Sequence, residues 1–456
     1  MKLSLESRDM CEWSGLPGLR EGLLTKVAQG ESGKVSPFLL LAMSGVSARE
    51  QRRCSELWTR DKQAACADER AALAFTFDVA ARPKIRIGYL SCDFHEHATS
   101  LLLIEMFEAH DRARFELFAY SYGADDGKSM RPRLAAAFDH FIDIEALSNI
   151  DAARAIHADG IDILIDLKGY TLRTRTQILM FGPAPVQVNF LGYPGTLGAS
   201  ICDYIVTDAF LTPAASAADY SESFAYLPHS YQPHGRNAVI GGAPRRSAVG
   251  LPEAGFVFCC FNQAYKITPE IFDIWCRLLV EVPDSVLWLL KNDQAEGNLK
   301  NEALWRGVTA DRLIFAEHLP QSEHLGRLQL ADLVLDTSPY NAHTTASDAL
   351  WANTPIVTCS GDTFPSRVAG SILRAINLGE LIAVDLDAYF ELALELATKP
   401  DRFSAIKAKL SANRLTTPLF DIEAYTRDME GLYEVMWRRY REGDAPTAIG
   451  AVPAAG

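Results

Sequence analysis

Short, almost wholly apolar runs recur along this sequence with amphipathic stretches between them, and that alternation leaves few folds open. Ile85–Ser91, Phe115–Ser121, Ile161–Leu167, Pro185–Phe190 and Asp203–Thr207 read as buried strands, while Leu101–Phe107 and Ala152–Ala158 carry helical spacing. A strand without polar alternation is covered on both faces, and strands separated by helices run parallel, so this region is expected to form a parallel sheet wrapped by helices. From about 232 to 254 the chain turns rich in Gly, Pro, Arg and Ala, the composition of a linker. A second alternating set follows, with strands expected at 256–261, 286–290, 312–315, 331–336 and 354–358 and a helix at 269–280. The expected fold class is therefore α/β, two doubly wound domains facing across a cleft bounded by the carboxyl ends of both sheets. Boundaries are expected at 1–82 for a short helical N-terminal extension, 83–240 and 241–442 for the two domains, and 443–456 for a flexible tail. No internal repeat of helical-hairpin length stands out in the extension.

Charge narrows the partners. With 44 Lys and Arg against 58 Asp and Glu, net −14, and no dense basic run, the chain is not expected to bind nucleic acid. An anionic small molecule would need locally placed donors instead. Nine cysteines without a CxxC pair fit a reducing compartment better than disulfides or zinc, so no metal is expected. The N-terminus lacks the pattern of a leader, and no apolar run reaches membrane-spanning length, so the expectation is a cytoplasmic protein without a membrane partner.

Local donors are found where strands meet helices. Leu333–Trp351 is a strand, a loop and then a helix opening with His343, Thr344 and Thr345, with Asp348 one turn on. The free amides and positive dipole end of a helix start suit a phosphate, although an ordinary N-cap has the same composition. After the strand at 256–260 come Gln263 and Lys266, the latter a point cation that would face the cleft and neutralise charge on a departing phosphate. His324 and Arg327 stand one helical turn apart and fit either a site or an amphipathic surface. In the first domain, His97 follows the opening strand at the cleft edge, where it could accept a proton or orient a hydroxyl. His95 and His97 point to opposite sides if that loop is extended, which disfavours a metal pair. The glycine-rich loop Leu191–Gly198 could bring amides near a ligand or simply turn, and His229 precedes the linker. Neither a GxxxxGK[ST] loop nor GxGxxG after the first strand is present. Asp385 and Asp387 are assigned to the surface.

Ile87–Phe94 with His97, Pro183–Gln187 with Leu191–Gly198, Phe261–Lys266 and His343–Asp348, in this order and at these separations, resemble the catalytic region of the O-GlcNAc transferase and SPINDLY family over roughly residues 84–440. The resemblance implies two Rossmann-like halves of the GT-B type, a nucleotide-sugar donor, no cofactor, and metal-independent, inverting transfer to Ser or Thr of a protein acceptor. It implies that Gln263 and Lys266 contact the donor diphosphate, that His343, Thr344 and Thr345 hold its phosphates, that Asp348 meets the ribose and that His324 meets the nucleobase or ribose. His97 matches a family histidine that is a candidate general base, and substrate positioning explains the same placement. The expected function is transfer of N-acetylglucosamine from UDP-GlcNAc. A GDP-fucose-dependent O-fucosyltransferase, or a nucleotide-sugar-binding module without turnover, are the alternatives. Family members carry a tetratricopeptide superhelix that this sequence shows only as a helical lead-in, so a tetratricopeptide-type partner is a further expectation. Gln321 replaces a nucleotide-facing lysine of the animal enzymes.

Overall fold

The computed structural model of the chain describes residues 8–450 apart from 32, 34 and 81. They form two compact units. The first comprises 25–40, 47–235 and 421–450, and the second 8–24, 41–46 and 236–420.

Seven strands form the sheet of the first unit: β1 (Ile85–Ser91), β2 (Phe115–Ser121), β3 (His140–Asp143), β4 (Ile163–Asp166), β5 (Val186–Asn189), β6 (Tyr204–Asp208) and β7 (Ser223–Leu227). Their order is β3-β2-β1-β4-β5-β6-β7 and every pairing is parallel. The strand order reverses between β1 and β4, which opens a crevice at the carboxyl ends of those two strands. Ile87, Tyr89, Ile163 and Ile165 on this central pair are fully buried, as continuous apolar runs require. The helix Ala98–Ala109 returns the chain from β1 to β2 and buries Leu102, Leu103, Met106 and Phe107. A second cover arrives from far along the sequence. The helix Ile422–Glu442, placed with the second domain by sequence order, packs on the Ala98–Ala109 helix and on β7. Its buried Met429, Leu432, Tyr433 and Met436 recur at helical spacing, each apolar side chain contributing about 1.5–3 kcal/mol by leaving water. Within that contact Tyr89 and Tyr433 join hydroxyls at 3.0 Å, and His110 lies 3.0 Å from the buried Glu430 carboxylate.

The second unit holds β8 (Val257–Cys260), β9 (Val286–Leu290), β10 (Leu313–Ala316), β11 (Leu333–Leu335), β12 (Ile356–Cys359) and β13 (Ile382–Ala383), in the order β10-β9-β8-β11-β12-β13 and again all parallel. Here the reversal lies between β8 and β11. The amino-terminal segment braces this unit: the Arg8 guanidinium donates to the carbonyls of Ala42 and Tyr265, at 2.9 and 2.8 Å, and Trp13 packs on Phe272.

Three strands escape the sequence pattern. β3 is a four-residue edge strand whose ends are exposed, β7 follows a turn of small residues that blurs its start, and β13 is only two residues long. The lead-in expected as one extension over 1–82 is shared between the units, its helix Ala48–Leu73 belonging to the first. Of the tail expected over 443–456, residues 451–456 lie outside the described residues. Ile449 is held against β7, exchanging backbone hydrogen bonds with Phe224 and Tyr226 at 2.9 Å. Among the described residues no helix is long and apolar enough to cross a membrane.

Candidate functional site

The loop after β11 is built around one carboxylate. Asp336 accepts the amides of Thr337 and Ala342 on one oxygen, at 2.7 and 2.6 Å, and the Thr358 hydroxyl on the other at 2.6 Å. Asn341 ties the loop back to the Thr337 carbonyl at 2.9 Å. So fixed, the loop presents the Asn341 carbonyl to the Nζ of Lys266, 2.9 Å away, and the Tyr340 ring, whose centroid is 4.0 Å from the same Nζ. Lys266 reaches this place from a single 3₁₀ turn, Ala264–Lys266, after β8. It is 8% exposed, not the open cation that its loop position suggested. Burial pulls the ammonium down while Asp336, acting through space, resists; burial likewise pushes Asp336 up against its hydrogen-bond donors. A carbonyl and a ring face occupy two directions around Nζ. Of the three N–H groups, one has no protein partner among the described residues.

The helix Thr344–Trp351 starts beside this cation. Amides of Ala346 and Ser347 turn back to the His343 carbonyl, at 3.0 and 3.3 Å, which leaves those of Thr344 and Thr345 without a backbone acceptor among the described residues. Thr345 gives its hydroxyl proton to Asn262 at 2.5 Å, tying the helix to the loop after β8, so its donor toward a ligand is the amide. The Thr344 hydroxyl has no such commitment among the described residues. His343 is held neutral, by burial first and by the neighbouring Lys266 charge second. Asp348 is buried on the same helix and acts electrostatically on His324.

His324 and Arg327 do meet, but unequally. Arg327 is 2% exposed and lies 4.5 Å over the Phe261 ring; it donates to the Glu317 carbonyl and to Nδ1 of His324, the latter at 2.9 Å. Its placement corrects the expectation of a ligand contact: Arg327 orients His324, leaving that imidazole a donor through Nε2. Burial, then Arg327, lowers His324 to about 4, so the ring is neutral at pH 7. Gln263 is exposed beside the same turn.

At the reversal of the first sheet, β1 runs into Asp93 and β4 into Lys168. Lys168 Nζ lies 2.7 Å from Asp93 Oδ2, with both side chains 7% exposed. His97 caps the helix Ala98–Ala109, its Nδ1 accepting the Thr99 amide at 3.2 Å and standing 3.5 Å from the same Asp93 oxygen. The segment bends after Asp93 rather than extending, so the rings of His95 and His97 stand 5.7 Å apart instead of pointing to opposite sides. Asp93 and Lys168 escaped the sequence reading. Their signal was position alone: each stands two residues past the carboxyl end of a strand flanking the reversal.

Other candidates resolve into structure. Gly192 lies so close to the Leu167 carbonyl that a Cβ would come to 1.9 Å, so this glycine serves backbone packing against β4's loop. His229 is exposed and acts on Asp428. Asp385 caps the helix Leu386–Thr398 through the Ala388 amide at 2.8 Å. Among the described residues no group of three or more His, Cys, Asp or Glu side chains is arranged to hold a metal ion.

Comparison with known proteins bears on this geometry. The pattern of glycosyl transferase family 41 matches residues 61–235 and 235–429. The Arabidopsis thaliana protein named probable UDP-N-acetylglucosamine–peptide N-acetylglucosaminyltransferase SEC is 41% identical over 371 residues, covering 80% of this chain and 38% of that protein. The Petunia hybrida protein named probable UDP-N-acetylglucosamine–peptide N-acetylglucosaminyltransferase SPINDLY is 30% identical over 373 residues, covering 79% and 39%. The chain thus spans about two fifths of the length of these curated relatives. A solved structure of a mutant O-GlcNAc transferase from Thermobaculum terrenum superposes with a TM-score of 0.84 at 27% identity, covering 97% of this chain and 83% of the other.

Proposed function

The chain belongs to glycosyl transferase family 41 and has its GT-B type α/β fold, and from that premise we propose that it is a protein O-glycosyltransferase moving N-acetylglucosamine from UDP-GlcNAc to Ser or Thr hydroxyls. The observation that carries this reading is the anion site at the reversal of the second sheet. One N–H of Lys266, the amides of Thr344 and Thr345 and the Thr344 hydroxyl can converge on a diphosphate. Asp348 and the Nε2 donor of His324 lie on the adjoining helices, suited to ribose and base, with Gln263 exposed beside them.

In this reading the acceptor hydroxyl attacks the anomeric carbon, the bond from that carbon to the diphosphate oxygen breaks, and configuration inverts. The hydroxyl proton leaves to a base and the nucleoside diphosphate departs with the bond's electron pair. Lys266 and the helix start take up the charge that develops on the leaving group, the role a metal ion plays elsewhere. A preorganised donor of this kind is worth about 10²–10³ in rate. We read the transfer as inverting and metal-independent on that basis, with His97 a substrate-positioning histidine.

The test is calorimetric binding of UDP and GDP, followed by transfer of label from UDP-GlcNAc or GDP-fucose to a protein mixture. UDP preference that weakens in Lys266→Ala, with labelled product from UDP-GlcNAc, is the expected result. GDP preference with fucosyl product would replace the donor, tight UDP binding without product would make the chain a silent binding module, and no binding of either nucleotide would overturn the site.

A further inference from the structure

The carboxyl end of β1 holds a charge group for which the transfer chemistry above has no use. Asp93 is immobilised from four sides. Its amide donates to Ser91 Oγ at 2.9 Å, its carbonyl receives Ser100 Oγ at 2.5 Å, Oδ1 receives the Cys92 thiol at 3.2 Å, and Oδ2 receives Lys168 at 2.7 Å. Burial pushes its carboxyl upward, yet His97 and Lys168 hold it below its usual value, so it is an anion at neutral pH.

His97 Nδ1 faces two partners with opposite demands. It accepts the Thr99 amide at 3.2 Å, which needs a lone pair, and it stands 3.5 Å from Asp93 Oδ2, which would want a proton there. A neutral imidazole satisfies only one of them. Lys168 already occupies Oδ2 at the shorter distance and cancels its charge, so the lone pair stays toward Thr99 and the ring's proton sits on Nε2. No other protein group among the described residues bonds Nε2, and the His97 side chain is 42% exposed.

We propose that Lys168 is a positioning residue that, through Asp93, fixes His97 as an Nε2–H hydrogen-bond donor to an oxygen of the sugar donor or hydroxyl acceptor, and denies it the role of general base. The proposal rests on the reading of this chain as a glycosyltransferase only in naming the oxygen's owner. The charged and titratable groups facing His97 within its unit are Asp93, Lys168 and His95, and His95 in turn stands 3.8 Å from Asp126. Burial foremost pulls His97 down; Asp93 opposes this, while Lys168 and His95 add to it, which agrees with a neutral donor at pH 7.

Long-range proton–nitrogen correlation spectra of the full chain with labelled histidine, titrated with pH and assigned by His97→Gln, read the tautomer directly. The expected wild-type pattern has Nε2 protonated. Lys168→Met frees Oδ2, shifts the ring toward Nδ1–H and raises its titration midpoint, and Lys168→Arg restores the wild-type pattern. The double variant Lys168→Met with Asp93→Asn leaves neither charge unpaired, so it guards against misfolding, and it is expected to keep Nε2–H. A wild-type ring with Nδ1–H, or a folded Lys168→Met protein with an unchanged spectrum, overturns the proposal. In the transfer assay His97→Gln, which retains an N–H donor, is expected to keep at least about tenfold more activity than His97→Ala; equal loss would also overturn it. The spectra need no turnover, so the failure of the functional reading and the failure of this proposal remain distinguishable.

Discussion

Each sheet places a lysine beside its strand-order reversal, after the outer strand of the pair in one and the first strand in the other, and the two are used in opposite ways. Lys168 follows β4 at the reversal of the first sheet and meets a buried carboxylate at 2.7 Å, so the pair presents no net charge. Lys266 follows β8 at the reversal of the second sheet and rests on a carbonyl and a ring face, with no carboxylate in ion-pair contact among the described residues. A repeated fold thus supplies equivalent crevices, and the identity of one partner decides whether a crevice attracts an anion or orients a neutral side chain. Burial amplifies both outcomes, because a charge in a low-dielectric site is either compensated or available at full strength.

Stability is where the contrast is expected to be largest. Lys168→Met leaves the buried Asp93 anion with a neutral imidazole in place of a cation and should lower the unfolding free energy by about 3–5 kcal/mol, recovered in large part by adding Asp93→Asn. Lys266→Met breaks no ion pair and should stay within about 1 kcal/mol; denaturant unfolding of the three variants decides, and equal losses would erase the distinction. Activity should reverse the ranking for Lys266, since Lys266→Ala is expected to reduce sugar transfer by about 10²–10³ while the melting temperature holds.

A third prediction concerns pH. His324 titrates near 4 in the folded protein against an ordinary 6.5, so between those values the unfolded chain binds more protons and stability falls as pH is lowered. The loss through this one ring is up to about 3 kcal/mol from pH 6.5 to 4, and His324→Gln should flatten that part of the stability curve. Asp93, depressed, adds a loss only at still lower pH, as its carboxylate is protonated. Smallest is the effect of a residue outside both crevices: Asp385→Ala removes an N-cap and should cost about 1 kcal/mol while leaving transfer unchanged.

Much of the molecule is legible in its sequence. The apolar runs at 85–91, 115–121, 257–260 and 286–290 announce parallel strands because burial on both faces forbids polar alternation, and the helix start at 343–345 announces itself by hydroxyls at a strand–helix junction. What stayed hidden depends on tertiary pairing. Nothing local distinguishes Asp93 and Lys168, 75 residues apart, from surface charges, and nothing near Arg327 shows that Phe261 and the Glu317 carbonyl will enclose it. The burial of Lys266 is of the same kind, since it follows from a loop folded around Asp336, 70 residues further along.

The return of the Ile422–Glu442 helix to the first sheet bears on the order in which the protein can mature. During synthesis β1 to β7 emerge about 200 residues before the Ile422–Glu442 helix, so Tyr89 and His110 find Tyr433 and Glu430 only once that helix has left the ribosome. Contacts that span more than 300 positions close late, because the intervening loop entropy must be overcome first. The nascent first sheet therefore waits with one apolar flank uncovered until that helix arrives, a natural point for chaperone capture.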